Sequence, residues 1–295
     1  MIKLAEEIRE ALAAGGPVVA LETTLVAHGF PAPEGIEVAV ESERRVRAAG
    51  AIPATIGVLD GVVRVGLDED ELARFGPEAT KCGPRDLAAA AVQGAVGATT
   101  VGGTLAVARK AGIRFMGTGG LGGVHRGFPD PPDVSADLGE LARTQVLVVS
   151  AGVKSLLDVP ATAEVLETLG VPVLGYRTDT LPLFYTASGG PPVSARVESA
   201  AEAARIARAH WDPELMLGGV LLGNPPPASL DDVEPLIEAA VAEARAQGAT
   251  GQGVTPFVLA YLHRESGGRT ERANRELIAS NAALAGEVAV ALARA

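Results

Sequence analysis

Residues 146–174 have the sequence VLVVSAGVKSLLDVPATAEVLETLGVPVL. Two short apolar, β-branched runs, Val146–Ser150 and Val171–Leu174, flank a helical pattern near Ala161–Leu169. A strand followed by a helix and a second strand forms a crossover, which places both strands parallel in one sheet. The segment therefore predicts a parallel sheet with helices packed on its faces.

The same alternation extends along the chain on both sides of this segment. Pro17–Leu21 predicts a strand before the amphipathic helix Pro33–Ala49, and Asp60-Gly61 predicts a tight turn between the strands Ala54–Val58 and Val62–Val65. Further strands are expected at Thr99–Val101, Ile113–Met116 and Leu215–Leu222, and further helices at Arg85–Ala95, Thr104–Ala111, Ser199–His210, Val233–Gln247, Pro256–Arg264 and Glu271–Arg294. With no fixed repeat and no long linker, the sequence predicts one α/β domain over residues 1–295, with a largely parallel sheet.

Composition excludes several classes of protein. The 295 residues carry 25 Lys+Arg against 36 Asp+Glu, a formal charge of −11, which argues against a general nucleic-acid binder. A hydrophobic content of 47% excludes a disordered chain. Because Cys82 is the single cysteine, a disulfide framework and a multi-cysteine zinc site are also excluded. We expect a soluble, cytoplasmic protein of enzyme size.

Two segments could be mistaken for targeting or membrane signals. Met1–Gly16 mixes acids and bases on a helical period and lacks the apolar centre of a signal peptide. Leu87–Val107 is uncharged and long enough to span a bilayer, but it consists mostly of Ala, Gly and Thr. We expect a buried helix followed by a buried strand there, and no membrane span.

Chemically reactive residues follow several predicted strands. They lie in Glu22–Thr24, Gly117–Arg126, Ala151–Lys154 and Arg177–Asp179. Ligands of parallel α/β sheets bind beyond the carboxyl ends of the strands. These four segments are therefore the candidate ligand site. Glu22 suits a general acid or base, or alternatively a helix entry.

Glycines 117, 119 and 122 match the G-x-G-x-x-G pattern of nicotinamide and flavin sites after a predicted strand. Such sites also need a helix that opens at the last glycine, whereas residues 123–133 contain three prolines and no helical period. An NAD(P)-dependent oxidoreductase is thus a weak alternative. Exposed backbone N–H groups beside His125 and Arg126 better suit an anion such as phosphate.

Lys154 places an amine at the mouth of the sheet among apolar neighbours. A desolvated lysine is a nucleophile for carbonyl carbon, although a lysine in the first turn of a helix is also common here. The chain has only four lysines, Lys3, Lys81, Lys110 and Lys154, and its other basic residues are all Arg. Since guanidinium cannot form a Schiff base, the choice of lysine at this place shifts the balance towards the covalent role, and both interpretations stay open.

Asp133, Ser135 and Asp137 offer three oxygen ligands of the kind that Mg²⁺ or Mn²⁺ accepts. The alternative is a helix start capped by Asp137, with Glu140 three residues on. The segment KCGPRD, residues 81–86, similarly suits either anion contacts or a solvated loop. The residue pattern alone leaves both interpretations of each segment open.

Taken together, these segments resemble the pseudouridine-5′-phosphate glycosidase family, also called indigoidine synthase A-like. The matching segments, in family order, are residues 20–33, 53–61, 81–87, 97–113, 118–127, 133–158, 167–189, 255–257 and 280–286. The most specific are VHRG (124–127), SADL (135–138), AGVKSLLD (151–158) and GYRTD (175–179). The resemblance therefore covers most of the chain.

The resemblance implies a three-layer α/β/α fold, usually a homotrimer, with one divalent metal ion per subunit, typically Mn²⁺ with Mg²⁺ as the alternative. It implies a lyase that reversibly cleaves pseudouridine 5′-phosphate with water into ribose 5-phosphate and uracil. It makes Glu22 the proton donor, Lys154 the covalent nucleophile and Asp133 the metal ligand. The implied substrate contacts are Lys81, Val101, Thr118, His125, Ser135, Ala136, Asp137 and Asn281.

The implied chemistry explains a lysine beside carboxylates. A base attached through carbon leaves only if the sugar provides an electron sink, so we expect Lys154 to form an iminium at C1′ of the opened ribose. Candidate phosphate cations are Lys81, His125, Arg126 and Arg177. A non-enzymatic sugar-phosphate or nucleotide-binding module on the same fold is a further alternative.

The sequence departs from the family pattern in a few places. Gly102 and Gly103 stand where a pair of alanines is common, and Gly35 stands where Asn is common. Ser280 replaces the first residue of an Asn-Asn pair. That last change makes Asn281 the least secure of the implied contacts.

Overall fold

The computed structural model describes residues 2–127, 132–212, 215, 218–249 and 253–295. Its strands are β1 (Ile2–Leu4), β2 (Val18–Glu22), β3 (Ile52–Leu59), β4 (Val62–Val65), β5 (Thr80–Cys82), β6 (Gly97–Thr99), β7 (Phe115–Gly117), β8 (Val124–His125), β9 (Leu147–Ser150), β10 (Leu157–Asp158), β11 (Val173–Tyr176), β12 (Ala195–Val197) and β13 (Val220–Gly223). Its α-helices are α1 (Glu6–Ala13), α2 (Glu34–Ala48), α3 (Glu69–Leu72), α4 (Leu87–Val92), α5 (Val101–Ala111), α6 (Ala136–Ala142), α7 (Val159–Thr168), α8 (Ala200–His210), α9 (Glu234–Ala246), α10 (Val254–Glu265) and α11 (Arg269–Ala293). A π-helical turn, Leu25–Gly29, follows β2.

The strands form one large sheet in the order β1-β4-β3-β2-β7-β9-β13-β11-β12, to which β5 and β6 add beside β3. The pairings are parallel except where β3 meets β4 and β6. The β3–β4 hairpin turns at Asp60 and Gly61, both with positive φ, as the sequence predicted. The expected mixed, largely parallel sheet is therefore confirmed. A separate two-stranded sheet pairs β8 with β10.

Alternate residues of the strands point into two separate hydrophobic layers. In β2, Val18 and Ala20 face one layer, while Val19 and Leu21 face the other. Helices α5, α6, α7 and α9 cover the first face, and α8, the C-terminal part of α2 and much of α11 cover the second. A sheet buried on both faces needs apolar residues at successive positions, as these strands have. The three-layer α/β/α fold is thus confirmed, whereas the single domain stays a prediction.

Some predicted element boundaries were wrong. The strand expected at Thr99–Val101 ends at Thr99, and Val101 instead begins α5. Thr100 caps that helix, because its Oγ1 accepts a hydrogen bond from the backbone N–H of Gly103. The strand expected at Leu215–Leu222 is β13, which begins only at Val220; residues 216–217 of that prediction lie outside the described residues.

The apolar segment Leu87–Val107 forms α4, β6 and the first part of α5, so the expected helix and the expected buried strand are present. The helix was expected to be buried, but one side of α4 is exposed, with Val92 at 85% exposure. Among the described helices, α11 alone is long and apolar enough to cross a membrane by length and composition. However, 56% of its most apolar stretch is buried, and it packs against α2, α8 and β7. Core packing therefore explains its composition.

Candidate active site

Three neighbouring parallel strands end at one edge of the sheet. The last residues of β2, β7 and β9 are Glu22, Gly117 and Ser150. Because the strands run in the same direction, their following loops meet. The glycine-rich loop after β7 and the segment leading to Lys154 after β9 thus lie next to Glu22, as expected.

Two adjoining cavities open at this edge. The outer cavity has a volume of about 600 Å³, and the inner cavity has a volume of about 60 Å³. The outer lining includes Lys81, Arg85, His125, Asp133, Ser135, Ala136, Asp137 and Arg143. The inner lining includes Glu22, Thr24, His28, Thr118, Phe184 and Asn274. Both cavities are lined by Lys81, Lys154 and Thr255, so the two lysines stand at their junction.

Glu22 is the buried acid of the inner cavity. Its carboxylate accepts a hydrogen bond from Thr118 Oγ1 at 2.5 Å, and the residue is only 5% exposed. Burial raises the pKa of the Glu22 carboxyl, while the charge of Lys154 and the Thr118 hydroxyl partly oppose this rise. A carboxyl with a raised pKa holds its proton closer to neutrality, which suits a proton donor.

The two lysines reach the junction from different elements. Lys81 lies in β5; burial and the nearby charge of Lys154 lower its pKa to about 8. Lys154 is fixed by its backbone N–H, which donates to Leu121 O at 3.0 Å. Its side chain runs along Gly120, where an added Cβ would lie 3.3 Å from Lys154 Cγ. Because Lys154 lines both cavities, its amine can contact a ligand in either of them.

Asp137 does not cap a helix, so that alternative was wrong. Ser135 caps α6, and its Oγ accepts from the Asp137 N–H at 3.2 Å. The buried Asp137 carboxylate instead accepts from Gly102 N at 2.7 Å and from Gly122 N at 3.0 Å. It therefore ties the glycine-rich loop to the start of α5 while lining the outer cavity.

The glycines after β7 are required by close packing. A Cβ at Gly122 would lie 2.4 Å from Ser135 Oγ and 2.6 Å from Asp137 Oδ2, and one at Gly120 would lie 2.6 Å from the Phe184 ring. The chain after Gly122 enters the strand β8 and not a helix. Since the Gly122 N–H already binds Asp137, the dinucleotide interpretation has no support here.

His125 and Asp133 lie side by side in the lining of the outer cavity. His125 Nδ1 lies 3.7 Å from Asp133 Oδ2. The backbone N–H of His125 also donates a hydrogen bond to the backbone carbonyl oxygen of Asp133 at 3.0 Å. Burial lowers the pKa of His125, which favours its neutral form, although Asp133 opposes this effect. Among the described residues, no group of three or more His, Cys, Asp or Glu is arranged to hold a metal ion.

Two implied substrate contacts lie behind the cavity walls. Val101 is fully buried at the start of α5, next to Thr100, which lines the outer cavity. Asn281 donates from Nδ2 to Thr118 O at 2.8 Å, and its Oδ1 accepts from Asn224 Nδ2 at 2.9 Å. In this structure Asn281 therefore supports the loop that carries Thr118.

Two of the candidate phosphate cations lie elsewhere. Arg126 donates to Ser155 O and pairs with Glu234. Arg177 stacks over a tyrosine ring and donates to a backbone carbonyl. Neither lines the outer or inner cavity, whereas Arg143 lines the outer one. Sequence reasoning assigned no role to Arg143, Phe184, Thr255 and Asn274, although the first three lie in segments that match the family.

Residues 7–291 match the family described as "Indigoidine synthase A like protein". The chain belongs to this family. It is 48% identical to a pseudouridine-5′-phosphate glycosidase of Herpetosiphon aurantiacus, over 98% of this chain and 97% of the relative. It is 47% identical to one of Myxococcus xanthus, over 100% and 99%. The resemblance seen in the sequence is thereby confirmed.

Two solved structures of the family share the fold. The prealnumycin C-glycosynthase AlnA, in complex with ribulose 5-phosphate, superposes with a TM-score of 0.89 at 42% identity over 100% of this chain and 97% of that chain. The indigoidine synthase A-like protein of Thermotoga maritima also gives 0.89, at 38% identity over 100% and 97%.

Proposed function

We propose that this protein is a C-glycosidase that reversibly cleaves pseudouridine 5′-phosphate with water into ribose 5-phosphate and uracil. The observation that carries the proposal is the junction of the two cavities, where Lys81 and Lys154 separate a charged outer cavity from an inner cavity that holds Glu22. Relatives at 47–48% identity are named for this activity. AlnA was solved with a pentulose phosphate, which supports a pentose phosphate as ligand.

The two cavities suit the two halves of the substrate. The outer cavity contains Lys81, Arg85 and Arg143, and these cations match a phosphate and sugar hydroxyls. The inner cavity is smaller and carries apolar side chains such as Phe184, which suits a flat base. The glycosidic bond between the halves would then lie beside Lys154.

Lys154 would provide the electron sink. Its Nζ bonds to C1′ as the C1′–O4′ bond breaks and O4′ takes a proton, which opens the sugar. The C1′–C5 bond then breaks: its electron pair stays on uracil C5, which takes a proton, and the nitrogen lone pair forms the C=N bond of an iminium. Water adds to C1′, which releases the amine and leaves the aldehyde of ribose 5-phosphate.

Glu22 would move the protons of these steps. Its raised pKa allows it to give a proton to O4′, and the resulting carboxylate can take the proton released by the Lys154 nitrogen and deliver it to C5. Thr118 Oγ1 fixes the orientation of that carboxylate. A general acid of this kind contributes roughly 10²- to 10⁴-fold in rate.

Asp133 fits a hydrated divalent ion. Its side chain is 38% exposed in the outer cavity, and with no three-residue metal cluster among the described residues, water and substrate oxygens would complete the coordination of Mn²⁺ or Mg²⁺. When bound, the ion would supply positive charge to substrate oxygens. Uracil release that is lost in EDTA and restored by Mn²⁺ or Mg²⁺ would support this part of the proposal.

Borohydride trapping tests the covalent role. We expect borohydride to attach ribose 5-phosphate to the wild-type protein, and peptide mapping to place it on Lys154. Lys154→Ala should abolish trapping and uracil release, whereas Lys81→Ala should still be labelled at Lys154. Labelling of Lys81 in the wild type, or full trapping by Lys154→Ala, would contradict the assignment. Binding of ribose 5-phosphate with no uracil release by the wild type would favour the binding-module alternative.

The proposal includes a homotrimer. One chain has a mass of 29.9 kDa, and light scattering should give three times this value. The exposed apolar side of α4, which includes Val92 at 85% exposure, is consistent with contact between subunits. A monomeric mass would contradict the trimer without affecting the chemistry.

A further inference from the structure

A third cavity adjoins the inner one. It has a volume of about 750 Å³, and its lining includes Phe30, Pro33, Phe75, Ala260, His263 and Arg264. The residues that line both the inner and the third cavity are His28, Gly29, Phe30, Pro256 and Leu259. Within the described part of the chain, the third cavity shares no lining residue with the outer one. The inner cavity therefore lies between the other two.

Two short segments form the wall between the inner and the third cavity. His28 and Gly29 end the π-helical turn after β2, and Pro256 and Leu259 lie in the first half of α10. All four residues are half-buried, and three of the twelve residues of α10 are fully buried. A wall made of partly buried side chains can open with little loss of packing.

The third cavity also has a buried polar group that no other group satisfies. His263 is 9% exposed, and its Nε2 has no hydrogen-bond partner among the described residues. The imidazole stacks on the Phe30 ring, with the ring centroids 6.0 Å apart. Burial lowers the pKa of His263, although the charge of Glu271 opposes this effect. A neutral imidazole offers one donor and one acceptor nitrogen, so a flat heterocycle can both stack and form a hydrogen bond here.

The proposed chemistry needs a path for the base that avoids the outer cavity. A sugar phosphate bonded to Lys154 would occupy the junction, which is lined by Lys81, Lys154 and Thr255. In cleavage, free uracil would then be held beside the iminium, where the carbon–carbon bond can form again. In synthesis, uracil would have to pass an iminium that already fills the junction. A second entrance to the inner cavity removes both obstacles.

We propose that the third cavity is the entrance through which the free base reaches and leaves the inner cavity while the sugar phosphate stays on Lys154. The inference rests on the proposed function. His263 binds the base on this route through Nε2, which accepts from a ring N–H or donates to a ring carbonyl according to its tautomer. The charged residues of the lining, Arg264 and Glu271, have opposite signs, so the cavity suits a small neutral heterocycle and not a phosphate.

Labelled ribose 5-phosphate tests the route. The protein is loaded with the labelled sugar and then mixed with uracil and a large excess of unlabelled ribose 5-phosphate. A base that enters through the third cavity meets the loaded iminium, so we expect most of the bound label to appear in pseudouridine 5′-phosphate in the first turnover. A base that enters through the outer cavity requires the labelled sugar to leave first, which dilutes the label.

A removable plug provides the comparison. Ala260 is exposed and lines the third cavity but neither of the others. In Ala260→Cys, a bulky methanethiosulfonate attaches at this position, whereas Cys82 is buried and its thiol pKa is raised to about 11 by burial, so it does not react. We expect the plug to lower the labelled product several-fold and dithiothreitol to restore it. Borohydride trapping of ribose 5-phosphate should stay within two-fold of wild type.

Two further variants complete the design. Ala209→Cys carries the same reagent at an exposed position of α8 and is the matched control, which should change neither measurement. His263→Phe keeps the stacked ring and removes Nε2. In this variant we expect kcat/KM for uracil to fall several-fold with trapping unchanged, and an unaltered kcat/KM would remove His263 from the route.

Three results would overturn the inference. They are diluted label in the wild type, equal labelled product with and without the plug, and a plug that weakens trapping as much as product. If the wild type forms no pseudouridine 5′-phosphate, the proposed function fails. Uptake of radiolabelled uracil then decides separately: slower uptake with the plug supports the entrance, whereas equal uptake, or none, contradicts it.

Discussion

At the scale of single residues, the site depends on burial to alter proton affinity. Burial raises the pKa of Glu22 and lowers that of Lys81, so an acid and a base with closer proton affinities stand within one charge cluster. In water the same two groups would differ by about 6 units. Desolvation thus shifts both pKa values towards neutrality.

The lowered pKa of Lys81 predicts an alkaline limit to activity. As the pH rises through about 8, Lys81 loses its charge, and the outer cavity loses a cation for an anionic substrate. We expect kcat/KM for pseudouridine 5′-phosphate to fall above this pH. In Lys81→Arg the guanidinium stays charged, so the alkaline fall in kcat/KM should move to higher pH. This shift is expected whether or not the maximum value of kcat/KM also changes.

Steady-state rates between pH 6 and 10 check this prediction. Lys110→Arg, a change at an exposed lysine of α5, is the matched control and should keep the wild-type profile. If kcat/KM falls at the same pH in the wild type and in Lys81→Arg, a group other than Lys81 causes the fall.

At the scale of elements, the carboxylate of Asp137 holds two loops together by hydrogen bonds. Asp137 accepts hydrogen bonds from Gly102 at the start of α5 and from Gly122 after β7. Donation of backbone N–H groups to an ionised side chain gives strong bonds. The two loops are therefore both bound to the helix α6, which carries Asp137 into the wall of the outer cavity.

Gly122→Ala tests this arrangement, because its new Cβ would lie within 2.6 Å of both Ser135 Oγ and Asp137 Oδ2. We expect a loss of roughly 1–3 kcal/mol in the free energy of unfolding, with a larger loss of activity. Gly139→Ala, on the same helix as Asp137, meets no atom within 4 Å and should gain roughly 0.5–1 kcal/mol. Urea denaturation of both variants gives the comparison, and equal effects would refute the packing argument.

Element types were accessible from sequence because they depend on local periodicity. The strand–helix alternation around Val146–Ser150 predicts the sheet, and the position after a strand indicates Glu22 and Lys154. The short-range pattern at Asp137 offered a helix cap as one alternative, but the partners of its carboxylate lie 35 and 15 residues away. Arg143 and Asn274 carry no local signal, since their position depends on how distant helices pack.

At the scale of the whole molecule, the formal charge of −11 opposes an anionic substrate. The cations that line the outer cavity act over a short distance, whereas the net charge acts over a long one. The balance between them depends on ionic strength, because the Debye length is about 30 Å at 0.01 M salt and about 10 Å at 0.1 M.

We therefore expect kcat/KM for pseudouridine 5′-phosphate to rise a few-fold between 0.01 M and 0.1 M salt, as the long-range repulsion is screened before the local attraction. Uracil is neutral, so its KM in the synthetic direction should not change over the same range. A steady fall in kcat/KM with added salt would show that the cavity cations dominate even at long range.

Among the described residues, the outer and inner cavities share Lys81, Lys154 and Thr255 and no others. We therefore expect substitutions in the inner wall, apart from Glu22 and Thr118, to leave the residues proposed to act on the pentose in place. We expect such a division to let one half of the site present the same reactive carbon to different acceptors bound in the other half. A C-glycosynthase and pseudouridine-5′-phosphate glycosidases within one architecture are the diversity that this modularity permits.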